Sequence, residues 1–337
     1  MNNSASVSVA LVTGGSGFLG GHLLARLLAD GWHVRLLLRT PTALADTVAR
    51  RCEVMEGDLA NAAALQKAVS GVQVVFHCAA NVNTWDQWDA YHVANVDGVH
   101  NLLQAISLHN PGLQRLVHVS TVDVYGFSVH ACSEESNTTG AGFGYGESKL
   151  LGETLVTQFC RAQNIPFTIV RPTNVIGPGS QFIERMGSAL KSGLMLTVDG
   201  GRANAGLVYV DNLVNYMVWA ASAEKALGQC YNVRDPYDVT WAQFIVALRS
   251  AIHGKGWVID LPYGMAMRIS QWIQAAYRLV LPSREPVLHP LLVNLFGRTC
   301  GHDASKLRTH SELTAGVGFE EAVTRSAHWL TDHGGQH

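Results

Sequence analysis

TGGSGFLG, residues 13 to 20, follows the apolar run VALVT (9 to 13) and opens a stretch of helical period from His22 to Asp30. Strand, glycine turn and helix in this order are the setting in which a dinucleotide's phosphates are held. Gly14, Gly17 and Gly20 permit a tight turn, close approach of backbone to pyrophosphate, and close packing of helix on strand. The helix N-terminus adds unpaired N–H donors. A glycine-rich turn without a ligand is the alternative, and the flanking strand and helix argue against it.

Working outward, short apolar runs alternate with helical periods up to about residue 177. HVRLLL (33 to 38), CEVMEGD (52 to 58), VQVVFHCAA (72 to 80), RLVHVS (115 to 120) and FTIVRP (167 to 172) read as strands. Ala62 to Ser70, Asn95 to His109 and Tyr145 to Gln163 read as crossover helices. Repeated βαβ units predict an α/β fold, a Rossmann-type doubly wound parallel sheet. The alternation degrades after Gly177-Pro178-Gly179 and recovers at GLVYVDN (206 to 212) and QCYNV (229 to 233). The expected division is therefore 1–178 plus about 206–235 for the dinucleotide-binding domain. A smaller, discontinuous C-terminal substrate lobe takes about 179–205 plus 236–337.

Apolar residues make up 47% of the 337 and charged residues 15%, with a formal net charge of -2 and no basic stripe, so nucleic acid is excluded as a partner. The six cysteines lie far apart with no C-x-x-C pair, which favours reduced thiols and a cytoplasmic location. Fifteen histidines, including those of His302-Asp303 and the closing HGGQH, form no ligand spacing, so no metal is expected. MNNSAS carries no positive patch, and the apolar run from Val7 leads straight into glycines, which reads as a strand and not a signal peptide. Ile269 to Leu281 is interrupted by Arg278 and is too short to span a bilayer, which leaves a buried or interfacial helix and leaves peripheral membrane contact open.

NAD-preferring sites place Asp or Glu at the end of the second strand, where it accepts from the ribose 2′-hydroxyl. Here that strand ends in Leu38 and Arg39. An arginine can pair with a 2′-phosphate, so NADP(H) is preferred and NAD(H) stays open. Asp58, closing the third strand, is read either as an acceptor for the adenine amino group or as a turn former.

Tyr145 and Lys149 are four apart on an expected helix, so they share a face. That helix follows the strand ending in Ser120 and Thr121, at the edge where an open α/β sheet binds ligands. Carbonyl reduction by hydride needs a proton for the developing alkoxide, and a tyrosine supplies it well only if a cation lowers its pKa. One charge about 4 Å away at an effective dielectric near 20 is worth roughly 4 kcal/mol before screening. Lys149 and an oxidised nicotinamide are the cations at hand. Thr121, with Ser120 as fallback, would hydrogen-bond the substrate oxygen.

Together these residues resemble the extended short-chain dehydrogenase/reductase family over nearly the whole chain. The resemblance is carried by TGGSGFLG at 13 to 20, GDL at 57 to 59, VFHCAA at 75 to 80, NVDGVHNLL at 95 to 103, VSTVDVYG at 119 to 126, YGESK at 145 to 149, RPTNVIGPG at 171 to 179 and VYVDN at 208 to 212. It implies catalytic positions at Thr121, Tyr145 and Lys149, with Lys149 also holding the nicotinamide ribose, Asn95 supporting the site and Arg39 reading the 2′-phosphate. It further implies coenzyme contacts from Phe18, Leu19, Asp58, Leu59, Ala79, Ala80, Pro172 and Thr173, and a homodimer through the helices before and at Tyr145. Val82, Trp85, Val122, Asp123 and Asn174 are the candidate substrate neighbours, and Trp85, which follows the fourth strand with Trp88, either walls the pocket or packs the loop.

Within the family, sugar-nucleotide dehydratases carry Asp-Glu directly after the catalytic Thr. Val122 and Asp123 stand there, which disfavours dehydration. WVIDLPYGMAMRISQWIQAAYRLVLP from 257, followed by HPLLVNLFG, is similar to the C-terminal region of 3β-hydroxysteroid dehydrogenase-like members, and Arg39 is similar to dihydroflavonol reductase-like ones. The resemblance thus implies an NADP(H)-dependent reductase or secondary alcohol dehydrogenase for a small hydrophobic ketone or β-keto substrate. A nucleotide-sugar epimerase with tightly bound NAD and a non-catalytic NADPH-binding regulator are the rivals.

Overall fold

The computed structural model describes residues 8–41, 45–140, 144–281 and 284–333. MNNSAS, Val7 and all of the closing HGGQH except His333 lie outside these residues. The N-terminal half runs β1 (Val9–Thr13), α1 (Phe18–Ala29), β2 (His33–Leu38), a short α2 (Asp46–Ala49), β3 (Glu53–Glu56), α3 (Ala62–Val69) and β4 (Val74–His77). It continues through α4 (Trp88–His92), α5 (Gly98–His109), β5 (Arg115–Val119), α6 (Gly144–Gln163) and β6 (Phe167–Pro172). The second half runs β7 (Asn174–Ile176), α7 (Gln181–Ser192), β8 (Leu194–Val198), β9 (Leu207–Tyr209), α8 (Val210–Ser222) and β10 (Cys230–Val233). It closes with α9 (Trp241–Ala251), β11 (Trp257–Leu261), α10 (Tyr263–Val280), α11 (Pro290–Gly297), α12 (Ser305–Ser311) and α13 (Phe319–His333).

Seven strands form one parallel sheet in the order β3-β2-β1-β4-β5-β6-β10. Parallel ladders need cover on both faces, and the strand sequences provide for it. In β1, Ala10 and Val12 face the core under α1 and α8, while Leu11 faces that under α3, α5 and α6. Burying Leu23 and Leu27 of α1 completely contributes roughly 1.5–3 kcal/mol each. The chain winds from β1 toward β3 in one direction and from β4 toward β10 in the other. The crevice at this switch point opens where the C-terminal ends of β1 and β4 part.

The remaining elements pack around Trp241, Phe244 and Phe296, with the Trp241 and Phe296 rings 4.7 Å apart and Trp241 Nε1 donating to the Leu295 carbonyl at 2.8 Å. Two small parallel pairs, β7 with β9 and β8 with β11, belong to this region. The VYVDN segment is extended only through Tyr209, because Val210, Asp211 and Asn212 already begin α8. The helix expected from Asn95 is preceded by a π turn, Val93–Asp97, which joins α4 to α5 without a break.

Candidate active site

At two glycines of the turn from β1 into α1 the backbone leaves no room for a side chain. Gly14 takes φ +73°, and a Cβ there would lie 2.7 Å from Ala79 N at the end of β4. A Cβ on Gly20 would lie 2.1 Å from the Gly14 carbonyl oxygen. Gly17 precedes α1 with no side-chain cap, so the first-turn N–H groups at Phe18 and Leu19 are left to a ligand. This cradle fits a dinucleotide pyrophosphate. Gly179 closes the other side, where an added Cβ would stand 3.6 Å from the Phe18 ring. His22 ties the two together, bonding the Pro178 carbonyl at 3.0 Å and the Asp211 carboxylate at 2.7 Å.

Leu38 is buried at the end of β2 and Arg39 beyond it is exposed. Asp58 is exposed and one carboxylate oxygen takes the Ala60 N–H at 3.0 Å, the turn-forming arrangement. The Leu59 carbonyl accepts from Asn101 at 2.9 Å, and Leu59 lies over Gly98, where an added Cβ would meet it at 2.8 Å. Ala79 N–H reaches Thr13 Oγ1 at 3.3 Å, and Ala80 beside it is half-buried. Pro172, the last residue of β6, and Thr173 after it are buried, the Thr173 hydroxyl donating to the Val233 carbonyl at 3.1 Å.

Thr121 follows β5 and caps a 3₁₀ turn, Val122–Tyr125, by accepting from Asp123 N–H at 3.2 Å. Its side chain also lies close enough to the Tyr145 phenol to draw the phenol's pKa down. Ser120 Oγ is sealed in the interior, so of the two hydroxyls only that of Thr121 adjoins the phenol. Asn95 sits in the π turn, 2% exposed. It accepts from Asn81 N–H at 2.7 Å and donates to the Asn81 carbonyl and to Ser148 Oγ, both at 2.9 Å. Ser148 in turn donates to the Tyr145 carbonyl at 2.7 Å, so Asn95 fixes the loop after β4 and the first turn of α6 to each other.

Burial and the Asp123 charge push the Tyr145 phenol up from its ordinary value, against the lowering by Thr121. It therefore holds its proton at neutral pH, and only a cation brought close would release it. Lys149, 5% exposed, donates to the Val119 carbonyl at 2.5 Å. Burial lowers it to about 8, opposed by Glu153 and Cys78. Behind it the His77 and His118 rings stack at 5.3 Å. Burial and the Lys149 charge push His77 to about 3 and His118 well below its usual value, so both are neutral. Asp123 has its carboxyl raised to about 6 by burial.

The candidate substrate neighbours divide. Asp123 lies close enough to Tyr145 to act on its charge, and Asn174 lies beside the Cys300 thiol and donates to the Ala205 carbonyl at 2.7 Å. Val122 points the other way, 5% exposed in a small core with Val124 and Tyr125. Val82 stands exposed on the loop after β4. Trp85 on that loop lies under the Arg278 guanidinium at 4.0 Å and beside the His289 ring at 5.7 Å.

Several contacts had no local signal in the sequence. Glu285 gathers the Thr84 hydroxyl, Arg185 at 2.9 Å and His289 at 3.1 Å, and latches the loop after β4 to the C-terminal region. Glu153 and Arg171 form a buried pair that also holds the Tyr125 hydroxyl, at 2.6 Å from Arg171. Their spacing along the chain follows no period that a reader could use.

The model of the NAD dependent epimerase/dehydratase family matches residues 10–233. A 4-hydroxy-2-methyl-3-oxo-4-farnesyl-3,4-dihydroquinoline-1-oxide ketoreductase of Stigmatella aurantiaca is 30% identical over 302 residues, 88% of this chain and 89% of that one. A 3 beta-hydroxysteroid dehydrogenase/Delta 5-->4-isomerase of Mycobacterium tuberculosis is 30% identical over 301 residues, 84% of this chain and 80% of that one. Among solved structures, UDP-glucuronic acid 4-epimerase from Bacillus cereus, in complex with UDP-glucuronic acid and NAD, superposes with a TM-score of 0.75 at 22% identity. That match covers 96% of this chain and 99% of the other, and at such identity it speaks for the fold alone.

Proposed function

Since the chain belongs to the NAD-dependent epimerase/dehydratase family and is an NAD(P)-dependent oxidoreductase of the extended short-chain dehydrogenase/reductase type, we propose that it is an NADP(H)-dependent ketoreductase acting on hydrophobic ketones. The observation that carries the reading is the buried Tyr145 phenol, held protonated beside the Thr121 side chain at the end of β5. The bound coenzyme supplies the hydride. Tyr145 gives its proton to the oxygen of the reduced carbonyl, and Thr121 hydrogen-bonds that oxygen and orients it. Lys149, four residues on along α6 and lowered by burial to about 8, is the cation we assign to ease the phenol's proton loss when the coenzyme is bound. Asn95 keeps the loop after β4 and the start of α6 in register.

Exposed Arg39 after the buried Leu38, with no carboxylate closing β2, supports the 2′-phosphate of NADP(H). The apolar frameworks named for the two relatives support a hydrophobic substrate. Six unpaired cysteines agree with a reducing, cytoplasmic setting. The test is coenzyme consumption with a panel of apolar ketones and β-keto esters and NADPH. Tyr145→Phe should lower kcat by about 10²–10⁴-fold while NADPH still binds. Normal turnover by that variant refutes the mechanism. NAD retained through dialysis, together with conversion of a UDP-sugar without net oxidation, would replace the reading by an epimerase.

A further inference from the structure

α10 carries two faces of different fate. Ala266 and Ser270 are buried in the lobe, with Ile273 and Tyr277 half-buried beside them. On a second face Met265, Ile269, Trp272, Leu279 and Val280 recur at helical spacing and stand in solvent, Trp272 at 80% and Leu279 at 85% exposure. β11, which leads into α10, adds exposed Trp257, Val258 and Ile259. Isolated surface apolar residues are ordinary, but a stripe of this length is an interaction surface.

The charges around it select the partner. From 255 to 281 the cations are Lys255, Arg268 and Arg278, and α10 contains no acidic residue. Asp260, the one carboxylate in that span, is engaged by Thr197 Oγ1 at 2.9 Å and Gly200 N–H at 2.7 Å. A second copy docked stripe to stripe would set exposed Lys255 and Arg268 against themselves with no acid on α10 to meet them, while Arg278 already has the Asp86 charge beside it. Anionic headgroups meet them directly, and tryptophan favours the headgroup level. A basic amphipathic helix with an apolar Trp-bearing face is the chemistry of interfacial binding.

The position of the stripe adds a reason. The C-terminal end of α10 touches the loop after β4, where Arg278 covers Trp85 at 4.0 Å and reaches the Asp86 carbonyl at 3.4 Å. We propose that α10 seats the protein on an anionic lipid bilayer, with the loop Val82–Asp86 turned toward the lipid so that an apolar ketone enters from the membrane. The direction of entry rests on the ketoreductase reading, whereas the docking does not.

Flotation of the full chain with vesicles of phosphatidylcholine and phosphatidylglycerol (3:1), with pure phosphatidylcholine as control, tests the docking without any turnover. The wild type should float with the anionic vesicles. Trp272→Glu/Leu279→Glu should lose at least tenfold in partition coefficient, with unchanged circular dichroism and unchanged turnover of a short water-soluble ketone. Absence of wild-type flotation at low salt overturns the proposal, as does equal flotation of the variant. A wild-type dimer in light scattering that the variant converts to monomer overturns it in favour of a second copy. Flotation without turnover of any ketone supports the docking while removing the ketoreductase reading and the direction of entry.

Discussion

Replacing Asp123 by asparagine should stabilise the protein at neutral pH and leave it little changed in acid. Burial raises this carboxyl from 3.8 to about 6, so the folded chain keeps a proton that the unfolded chain releases. Its favourable contribution is complete below the unfolded value and is lost as pH rises through the folded one. Above pH 6 the folded state carries an ionised group that it solvates poorly. The difference, 6 − 3.8 or about 2.2 units, corresponds at 1.36 kcal/mol per unit to an upper bound of roughly 3 kcal/mol. Partial solvent access lowers this toward about 1–2 kcal/mol. Urea midpoints of wild type and Asp123→Asn at pH 7.5 and 4.5 give the gain at each pH, and linkage sets the acid value at about a third of the neutral one. The same substitution removes the charge that helps hold the Tyr145 phenol up, so the pH profile of kcat should move to lower pH. A loss of stability at pH 7.5, or a gain of equal size at both pH values, would refute the reasoning.

Arg39→Ala should raise the KM for NADPH by about 10–100-fold, the value of a charge-assisted pair, while the KM for NADH stays within about twofold. Equal weakening of both coenzymes would remove the 2′-phosphate role. Gly20→Ala puts a Cβ 2.1 Å from the Gly14 carbonyl oxygen, so the phosphate turn must open. NADPH binding, followed by nucleotide fluorescence, should be lost, and a variant that binds as wild type would show that the turn does not hold the coenzyme.

Much of this architecture was legible from local pattern. β1, β2 and β6 occupy the apolar runs at 9 to 13, 33 to 38 and 167 to 172, because strands buried on both faces need continuous apolar sequence. The Tyr145 and Lys149 spacing places both on α6. The limits appear where a contact joins distant segments. Glu285 meets Thr84 across about 200 residues, and nothing in the surrounding composition marks either one. Val122 was read as a pocket neighbour from its place after Thr121, yet the 3₁₀ turn rotates it into a core.

The π turn between α4 and α5 has a consequence for the length of the chain. From Trp88 to His109 the helix is uninterrupted, and the wider turn accommodates one residue more than an α-helical path would. Deleting a single residue there would let the two helices merge in regular hydrogen bonding, with no break to penalise. It would leave the helices on either side nearly in place, since the wider turn already absorbs the extra residue, and would change direction only within the turn that carries Asn95. The helix tolerates a shortened gene, but the amide of Asn95 then points away from Asn81 and Ser148. Sequence length at this spot is held by the site, not by the helix that contains it.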